Sequence, residues 1–326
     1  MRVGVIGMGA IGPVHVNALL QNGQEIVAIC DLEKSKCEQV NEKFSLQARI
    51  YEDYKEMLEN ESLDAIHICT PHYLHAEMIC EGLQRNINVL CEKPLAINES
   101  QLEQIEKAVQ KSKAQLGVCF QNRYNAALLY LKDYLKDKEI TAASVSQIWE
   151  RNASYYAQGA WRGTWEQEGG GVMMNQAIHA LDMLQLLCGM PESVTAYTAN
   201  VSLRKEIEVE DTAFGVFKLK NGGKFVINAT NSASYGFPVY YVFRASGHTV
   251  ELSADNITID GKSITKSDGL PIFGKEVWGV GHVNLFKDWY NCLQRKEKFA
   301  IDFYEASKAI KLILAMYRSN GQEIKI

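Results

Sequence analysis

The chain has 326 residues, with 34 Lys+Arg against 39 Asp+Glu for a formal charge of −5, and is 47% hydrophobic and 22% charged. These are globular values at a length of about two domains, which excludes disorder, collagen and coiled coil as the main architecture. A mild acid excess without a Lys/Arg run argues against nucleic acid or an anionic membrane as partner, and no apolar stretch approaches the ~18 residues of a membrane span.

The first 120 residues alternate between two periodicities. Short β-rich apolar runs at Arg2–Ile6, Ile26–Cys30, Ala65–Cys69, Asn88–Cys91 and Leu116–Phe120 are separated by helical spacing at Pro13–Gln21, Glu33–Phe44, Tyr54–Asn60, His75–Gln84 and Glu99–Lys111. Strands alternating with helices predict βαβ units around a parallel sheet, and uninterrupted apolar strands predict cover on both faces. The expectation is an α/β, doubly wound Rossmann domain over residues 1–122. After Arg123 the pattern changes. A helix near Ala126–Lys136 leads to a strand at Ala143–Trp149, a loop of Gly and aromatics at Tyr155–Gly171, and a helix from about Met173 to Leu187. From Ser193 to Ile264 the chain is mostly strand-like, with a hairpin signal at Asn221-Gly222 between Asp211–Leu219 and Lys224–Asn231. Helices at Val283–Arg295 and Tyr304–Asn320 close the chain. Residues 123–326 are therefore expected to form an α+β domain with a large, mostly antiparallel open sheet for substrate binding and oligomerisation, its last helices free to pack back on the first domain. A cleft between domains is the expected ligand site.

The eight cysteines, at 30, 37, 69, 80, 91, 119, 188 and 292, include no C-x-x-C pair. The N-terminal MRVGVIGMG lacks the pattern of a secretory signal, so reduced, mostly buried thiols in a cytoplasmic protein are expected.

Gly7-Met8-Gly9-Ala10-Ile11-Gly12 is a G-x-G-x-x-G that follows a strand and opens a helix, the context in which this otherwise weak pattern binds a dinucleotide. The first Gly makes the turn, the second admits a pyrophosphate, the third lets helix pack on strand, and the phosphates face the helix N-terminus. Asp31, at the end of the next strand, can accept hydrogen bonds from the adenosine ribose, and no Arg follows it to hold a 2′-phosphate. NAD is the expected cofactor. A further strand, Asn88–Cys91, runs into Glu92-Lys93-Pro94, which puts Lys93 at the ligand-binding edge of the sheet beside Cys69-Thr70-Pro71-His72.

With these motifs the chain resembles the Gfo/Idh/MocA oxidoreductases, which include inositol and sugar dehydrogenases. The motifs that carry the resemblance are Gly7–Gly12 followed by His15, Thr70-Pro71 with His75, Glu92-Lys93-Pro94, and Gly169-Gly170-Gly171 with Asn175, His179 and Asp182. The resemblance implies hydride transfer at C4 of a nicotinamide. It implies that Lys93 hydrogen-bonds the reacting hydroxyl and the nicotinamide ribose, that His179 is the general acid/base, and that the Thr70–His72 turn and Glu92 surround the cofactor. It also places Trp161-Arg162 near nicotinamide and substrate, and implies a homo-oligomer, a dimer or tetramer. Many dehydrogenases of the family carry Asp where this chain has Asn175, so a second carboxylate in the proton path would have to be Asp182 or another acid.

The residues themselves support parts of this. Asn175, His179 and Asp182 are spaced i, i+4, i+7, which a helix places on one face, and the preceding glycines allow close approach to a ligand. A histidine exchanges protons near its ordinary pKa of ~6.5, and a cationic Lys93 nearby would favour its neutral form. In Trp161-Arg162-Gly163-Thr164-Trp165, Arg162 can donate to sugar hydroxyls while the indoles, Trp165 among them, stack on a sugar ring. Gln121, at the domain junction, joins the cofactor set, and His282 is a weaker candidate. His72 and His75 have the spacing of a metal pair, but no further group completes a ligand set, so no metal is expected. The reading is an NAD-dependent dehydrogenase or reductase of a ring hydroxyl or ketone in a sugar, cyclitol or sugar derivative. Its alternatives are an NAD-recycling glycosidase or lyase with no net redox, and a non-catalytic NAD- or sugar-sensing regulator.

Overall fold

A computed structural model describes residues 1–267, 273 and 279–326, in two compact units. The first comprises Met1–Ala96, Ser100–Tyr124 and the described residues of Leu270–Ala306; the second comprises Ile97–Glu99, the described residues of Asn125–Gly269, and Ser307–Ile326. Among the described residues no helix is long and apolar enough to cross a membrane.

The first unit is built on β1 (Arg2–Ile6), β2 (Glu25–Cys30), β3 (Arg49–Tyr51), β4 (Ala65–Ile68), β5 (Asn88–Glu92) and β6 (Leu116–Cys119), with α1 (Gly12–Gln21), α2 (Lys34–Phe44), α3 (Tyr54–Asn60), α4 (His75–Gln84) and α5 (Glu99–Lys111) between them. All pairings in this sheet are parallel, in the order β3-β2-β1-β4-β5-β6. The chain reverses direction across the sheet between β1 and β4, the switch point at whose carboxyl end such sheets bind ligands. β4 and β6 are buried along their whole length, which is why they read as continuous apolar runs. The edge strand β3 was not expected: three residues, none of them buried, carry no periodicity to read. Helix ends follow local chemistry. Pro13 opens α1, and the Asp53 carboxylate accepts the Lys55 N–H at 2.7 Å to cap α3.

In the second unit α6 (Ala126–Leu135) precedes β7 (Ile140–Ile148), and a short α7 (Ala153–Tyr156) stands in the aromatic loop. The segment expected as one α-helix divides into a π-helical turn, Val172–Gln176, and α8 (Ile178–Cys188). This corrects the sequence reading: Asn175 belongs to the wide i→i+5 turn, so its spacing from His179 is not an α-helical one, whereas His179 and Asp182 share α8. Strands β8 (Ser193–Ala199), β9 (Thr212–Lys218), β10 (Lys224–Thr230), β11 (Tyr240–Ala245), β12 (His248–Ser253), β13 (Asn256–Ile259) and β14 (Lys262–Thr265) follow. The chain closes with α9 (Gly281–Arg295), α10 (Phe303–Ser319) and β15 (Ile324–Lys325). The nine-stranded sheet runs β14-β13-β12-β11-β7-β10-β9-β8-β15 and is antiparallel except for β7 beside β10. The hairpin at Asn221-Gly222 forms as expected, with Gly222 at φ +83°.

Helix α9 completes the core of the first unit. Trp289 is fully buried, and a Cβ on Gly117 of β6 would lie 2.9 Å from its ring, so β6 needs glycine there for the helix to seat.

Candidate active site

Five of the residues singled out in the sequence follow the carboxyl ends of five parallel strands: Gly7 after β1, Asp31 after β2, Thr70 after β4, Lys93 after β5 and Gln121 after β6. That is one edge of one sheet. The glycines there have separate reasons. Gly7 has φ +94°, and a Cβ on it would lie 2.7 Å from the Cys69 carbonyl; a Cβ on Gly12 would strike the Gly7 carbonyl oxygen. Both are required by the turn itself. A Cβ on Gly9 meets nothing within 4 Å. The fold does not need glycine at 9, whereas a pyrophosphate lying on the backbone does.

Asp31 is already oriented. Its Oδ2 accepts the Met8 N–H at 2.7 Å and its Oδ1 accepts the Glu33 N–H at 2.9 Å, which leaves each oxygen a lone pair for a ribose hydroxyl. Leu32 beside it is 84% exposed and offers a 2′-phosphate nothing. Gln121 is buried, and its Oε1 has no hydrogen-bond partner among the described residues. An open cradle at Gly9, an oriented carboxylate and an unsatisfied buried amide oxygen fit a dinucleotide without a 2′-phosphate.

Lys93 is held from behind. The turn that carries it is tied to the Thr70 turn by the buried His75 ring, whose nitrogens lie 2.7 Å from the Pro94 carbonyl oxygen and 2.8 Å from that of Thr70. The Lys93 N–H donates to Glu92 Oε2 at 3.2 Å, and Glu92 is 5% exposed. The other carboxylate oxygen, Oε1, lies 3.0 Å from His15 Nε2 and 3.2 Å from His282 Nε2. Behind His15 the chain of contacts continues, with His15 Nδ1 at 2.9 Å from His67 Nδ1 and His67 Nε2 at 2.7 Å from the Tyr290 hydroxyl.

The protons in this chain follow from the carboxylate. His15 must present Nε2–H to Glu92, so its Nδ1 is the acceptor. His67 then donates from Nδ1 and accepts at Nε2 from the Tyr290 O–H. Burial supports this arrangement at every member: it lowers the pKa of His15 against the pull of Glu92, lowers that of His67 further, and pushes the Tyr290 phenol up. Burial also pushes the Glu92 carboxyl up, but the hydrogen bonds from His15 and His282 outweigh it and hold Glu92 well below the ordinary carboxylate range. His15, Glu92 and Cys119 bring three ligand-type atoms within 4.8 Å of one another, a grouping the sequence reading did not foresee. The hydrogen-bond chain already assigns the His15 Nε2 proton to Glu92, and burial raises the Cys119 thiol well above its ordinary pKa, so the group is accounted for as a neutral-imidazole support of an anion.

In the second unit the residues around Arg162 and Asn175 form one hydrogen-bonded assembly. Tyr155 Oη accepts from Arg162 Nη1 at 2.8 Å, from Gln176 Nε2 at 3.1 Å and from Asn175 Nδ2 at 3.4 Å. The Arg162 guanidinium lies 4.7 Å from the Tyr155 ring centroid and 4.5 Å from that of Trp161. Trp165 is 46% exposed, and its indole N–H donates to the Glu208 carbonyl at 3.1 Å. Asn175 Nδ2 also donates to Glu168 Oε1, while Glu168 Oε2 accepts the Gly163 N–H at 2.5 Å. Glu168 is 1% exposed; its place just before the glycine run was the only sequence signal, and it was missed. His179 is half-buried on α8, and Asp182, 1% exposed, accepts from Gln185 Nε2 at 3.3 Å.

The glycine run itself has a different cause from the one expected. Added Cβ atoms on Gly169, Gly170 and Gly171 would strike Ile97, the Tyr317 hydroxyl and the Glu210 carbonyl oxygen, so intramolecular crowding, rather than approach to a ligand, requires glycine. Glu210 holds the run in place by accepting the N–H groups of Gly171 at 2.9 Å and Met173 at 3.0 Å; burial raises its carboxyl to about 7.

Residues 1–120 match the Gfo/Idh/MocA oxidoreductase family, NAD-binding Rossmann fold, and residues 130–252 match the C-terminal domain of the same family. The chain belongs to this family. It is an NAD-binding oxidoreductase. Its relatives include myo-inositol 2-dehydrogenase of Thermotoga maritima, 27% identical over 276 residues that cover 82% of this chain and 79% of the relative. Among solved structures it is similar to the WlbA dehydrogenase of Bordetella pertussis in complex with NADH and UDP-GlcNAcA, at 29% identity, a TM-score of 0.86, and coverage of 100% of this chain and 98% of that one. Levoglucosan dehydrogenase, at 17% identity and a TM-score of 0.88 over 100% of this chain and 99% of that one, shares the fold.

Two expectations follow for this oxidoreductase. Gly9→Ala should leave the thermal midpoint of the free protein unchanged but weaken NAD about 10- to 100-fold, the cost of one methyl in a filled contact. Gly7→Ala should instead lower stability by about 1–3 kcal/mol, since it adds strain and a backbone clash; equal effects of the two on melting would refute the division. The second concerns pH. Burial holds the pKa of His15 and His67 below the ordinary value in the fold, which favours their neutral forms, whereas both protonate below ~6.5 once unfolded, so acid favours unfolding, and the Glu92 contribution is lost at still lower pH as its depressed folded pKa is reached. The urea midpoint of the first unit should fall between pH 7 and 5.5 by the equivalent of roughly 1–3 kcal/mol. A flat profile over that range would show that these imidazoles do not stay neutral.

Proposed function

We propose that this protein is a dehydrogenase of a ring hydroxyl in a sugar, cyclitol or sugar derivative, acting in the cytoplasm as a homo-oligomer. The observation that carries the reading is Lys93, set at the carboxyl end of β5 beside the dinucleotide edge of the sheet, with its backbone N–H held by a buried carboxylate. Bound NAD supplies the hydride acceptor, at C4 of the nicotinamide. In this reading Lys93 holds the reacting hydroxyl and favours its ionised form, His179 takes the hydroxyl proton, and Asn175, Arg162 and Trp165 hold the rest of the ring. Gly7, Gly9, Ala10, Ile11, Gly12 and Asp31 bind the adenosine and phosphate half of the cofactor. Thr70, Pro71, His72, His75, Glu92, Gln121, Trp161 and Arg162 serve its nicotinamide half.

The relatives support a polyhydroxylated ring, since one is named for inositol and another is bound to UDP-GlcNAcA. Charge narrows the choice. Among the described residues neither Arg151 nor Arg162 has a carboxylate within 4.0 Å, and the Arg151 guanidinium lies 5.1 Å from the Trp149 ring and 4.9 Å from Tyr155. Two cations interleaved with aromatic rings suit an acidic or nucleotide-linked sugar better than a neutral cyclitol.

The test is a panel of inositols, free sugars, sugar acids and nucleotide-linked sugars with NAD or NADP, followed by reduced-nicotinamide absorbance. Net reduction with one class supports the dehydrogenase; turnover of a sugar without net reduction would replace it with the recycling lyase. Lys93→Met should lower kcat by at least about 100-fold with NAD binding kept, and near-normal turnover would remove Lys93 from the mechanism. Asp31→Ala should weaken NAD and relax the bias against NADP.

The oligomer surface in this reading is the outer face of β8–β10. Tyr197, Phe214, Val216 and Val226 are 62%, 51%, 43% and 38% exposed, and Tyr197 pairs with Phe214 and Val216 with Val226 across the strands. Phe214→Asp with Val226→Lys should reduce the mass measured by light scattering to that of a smaller assembly; an unchanged mass would place the interface elsewhere.

A further inference from the structure

We infer that Glu168 is a positioning residue: its buried carboxylate clasps the Trp161–Trp165 loop to Asn175, so that Arg162 and Asn175 are presented to a ligand as one preassembled unit. The two oxygens do different work. Oε2 accepts the backbone N–H of Gly163, the residue after Arg162, and Oε1 accepts the side-chain amide of Asn175 on the π-helical turn. Tyr155 makes a parallel tie, its hydroxyl accepting from Arg162 on the loop and from Asn175 and Gln176 on the turn. Successive loop residues, 162 and 163, are thereby joined to successive turn residues, 175 and 176.

The clasp also decides what Asn175 offers. Its amide N–H is directed to Glu168, so that towards the loop position 175 acts as a donor. An aspartate at 175 would bring a second carboxylate against Glu168 and lose the donor. The pair therefore specifies an amide at 175 because a carboxylate stands at 168, and the acid that the sequence placed in doubt at 175 is present one side chain away. The loop is closed from its other side by Gly163, at φ +75°, where a Cβ would strike Ile207, and by Glu208, whose N–H donates to the Gly163 carbonyl at 2.7 Å. With the loop already packed there, the carboxylate completes the fit and limits the entropy lost on binding.

The logic of the pair gives a swap test. In Glu168→Gln one carbonyl oxygen replaces two acceptors, so either the Gly163 N–H or the Asn175 amide loses its partner, or Asn175 turns its amide over and gives up its donation to Tyr155 Oη. In Asn175→Asp two carboxylates face each other. In the double variant the new amide at position 168 accepts from Gly163 and donates to the new carboxylate at position 175, which restores both contacts with the roles of the two positions exchanged. Loop closure is read without any substrate, as the rate of tryptic cleavage after Arg162 in the intact protein. Each single variant should be cut about 10- to 100-fold faster than wild type, the weight of one hydrogen bond to a charged group, and the double variant should return towards the wild-type rate. Wild-type cleavage in Glu168→Gln, or a double variant as labile as the worse single one, would overturn the clasp. If Glu168→Gln fails to fold, Asn175→Asp against the double variant makes the same comparison. That Arg162 and Asn175 touch substrate rests on the proposed function and is read separately, as a roughly 10-fold rise in KM for the responding substrate. Faster cleavage without a change in KM would leave the clasp standing and remove the loop from substrate binding.

Discussion

A buried carboxylate organises the first unit. Glu92 sits at the end of β5, where an ion costs several kcal/mol unless its lone pairs are taken up, and it is stabilised by N–H donors from three places in the chain: His15 on α1, His282 on α9 and the backbone of Lys93. Because the anion dictates the proton on His15, it also dictates those on His67 and Tyr290, and the core of this unit is polar along a single directed line. The residue that gains is Lys93. Its backbone is fixed from the inside by Glu92, and its turn is fixed from the side by His75. The backbone of Lys93 is thus placed by the core rather than by the surface.

The second unit reaches the same end by different means. Its aromatic loop is packed by Tyr156, Leu203, Ile207 and Val209 and tied by Glu168 and Tyr155, while Glu210 accepts two backbone N–H groups at the start of the π-helical turn. Buried carboxyl groups that each take at least one backbone N–H recur as the device that holds irregular backbone in place, because a carboxyl group can accept N–H groups that no helix or strand partner supplies. The π-turn belongs to this pattern: the extra residue in its ring places Asn175 outside the α-helical phase of His179 and Asp182, and within reach of Glu168 and Tyr155.

The alternation of strands and helices, the glycine turn between β1 and α1, Asp31 at the end of β2 and Lys93 at the end of β5 were legible from the amino-acid sequence alone. Each is a local pattern, decided by backbone freedom or side-chain period within a few neighbouring residues. Even there the sequence left β3 unseen and merged the π-turn with α8. What only tertiary structure decided are relations between distant residues. His15, His67, Glu92, Cys119, His282 and Tyr290 become one cluster only when α1, β4, β5, β6 and α9 pack together. The reason for glycine at 169–171 lay in Ile97, Glu210 and Tyr317, and the partner that makes an amide right at 175 lay at 168, invisible as a pair until the loop folded back on the turn. Hydrogen bonds and steric exclusions act across space, and the order of residues along a chain does not say which of them will meet.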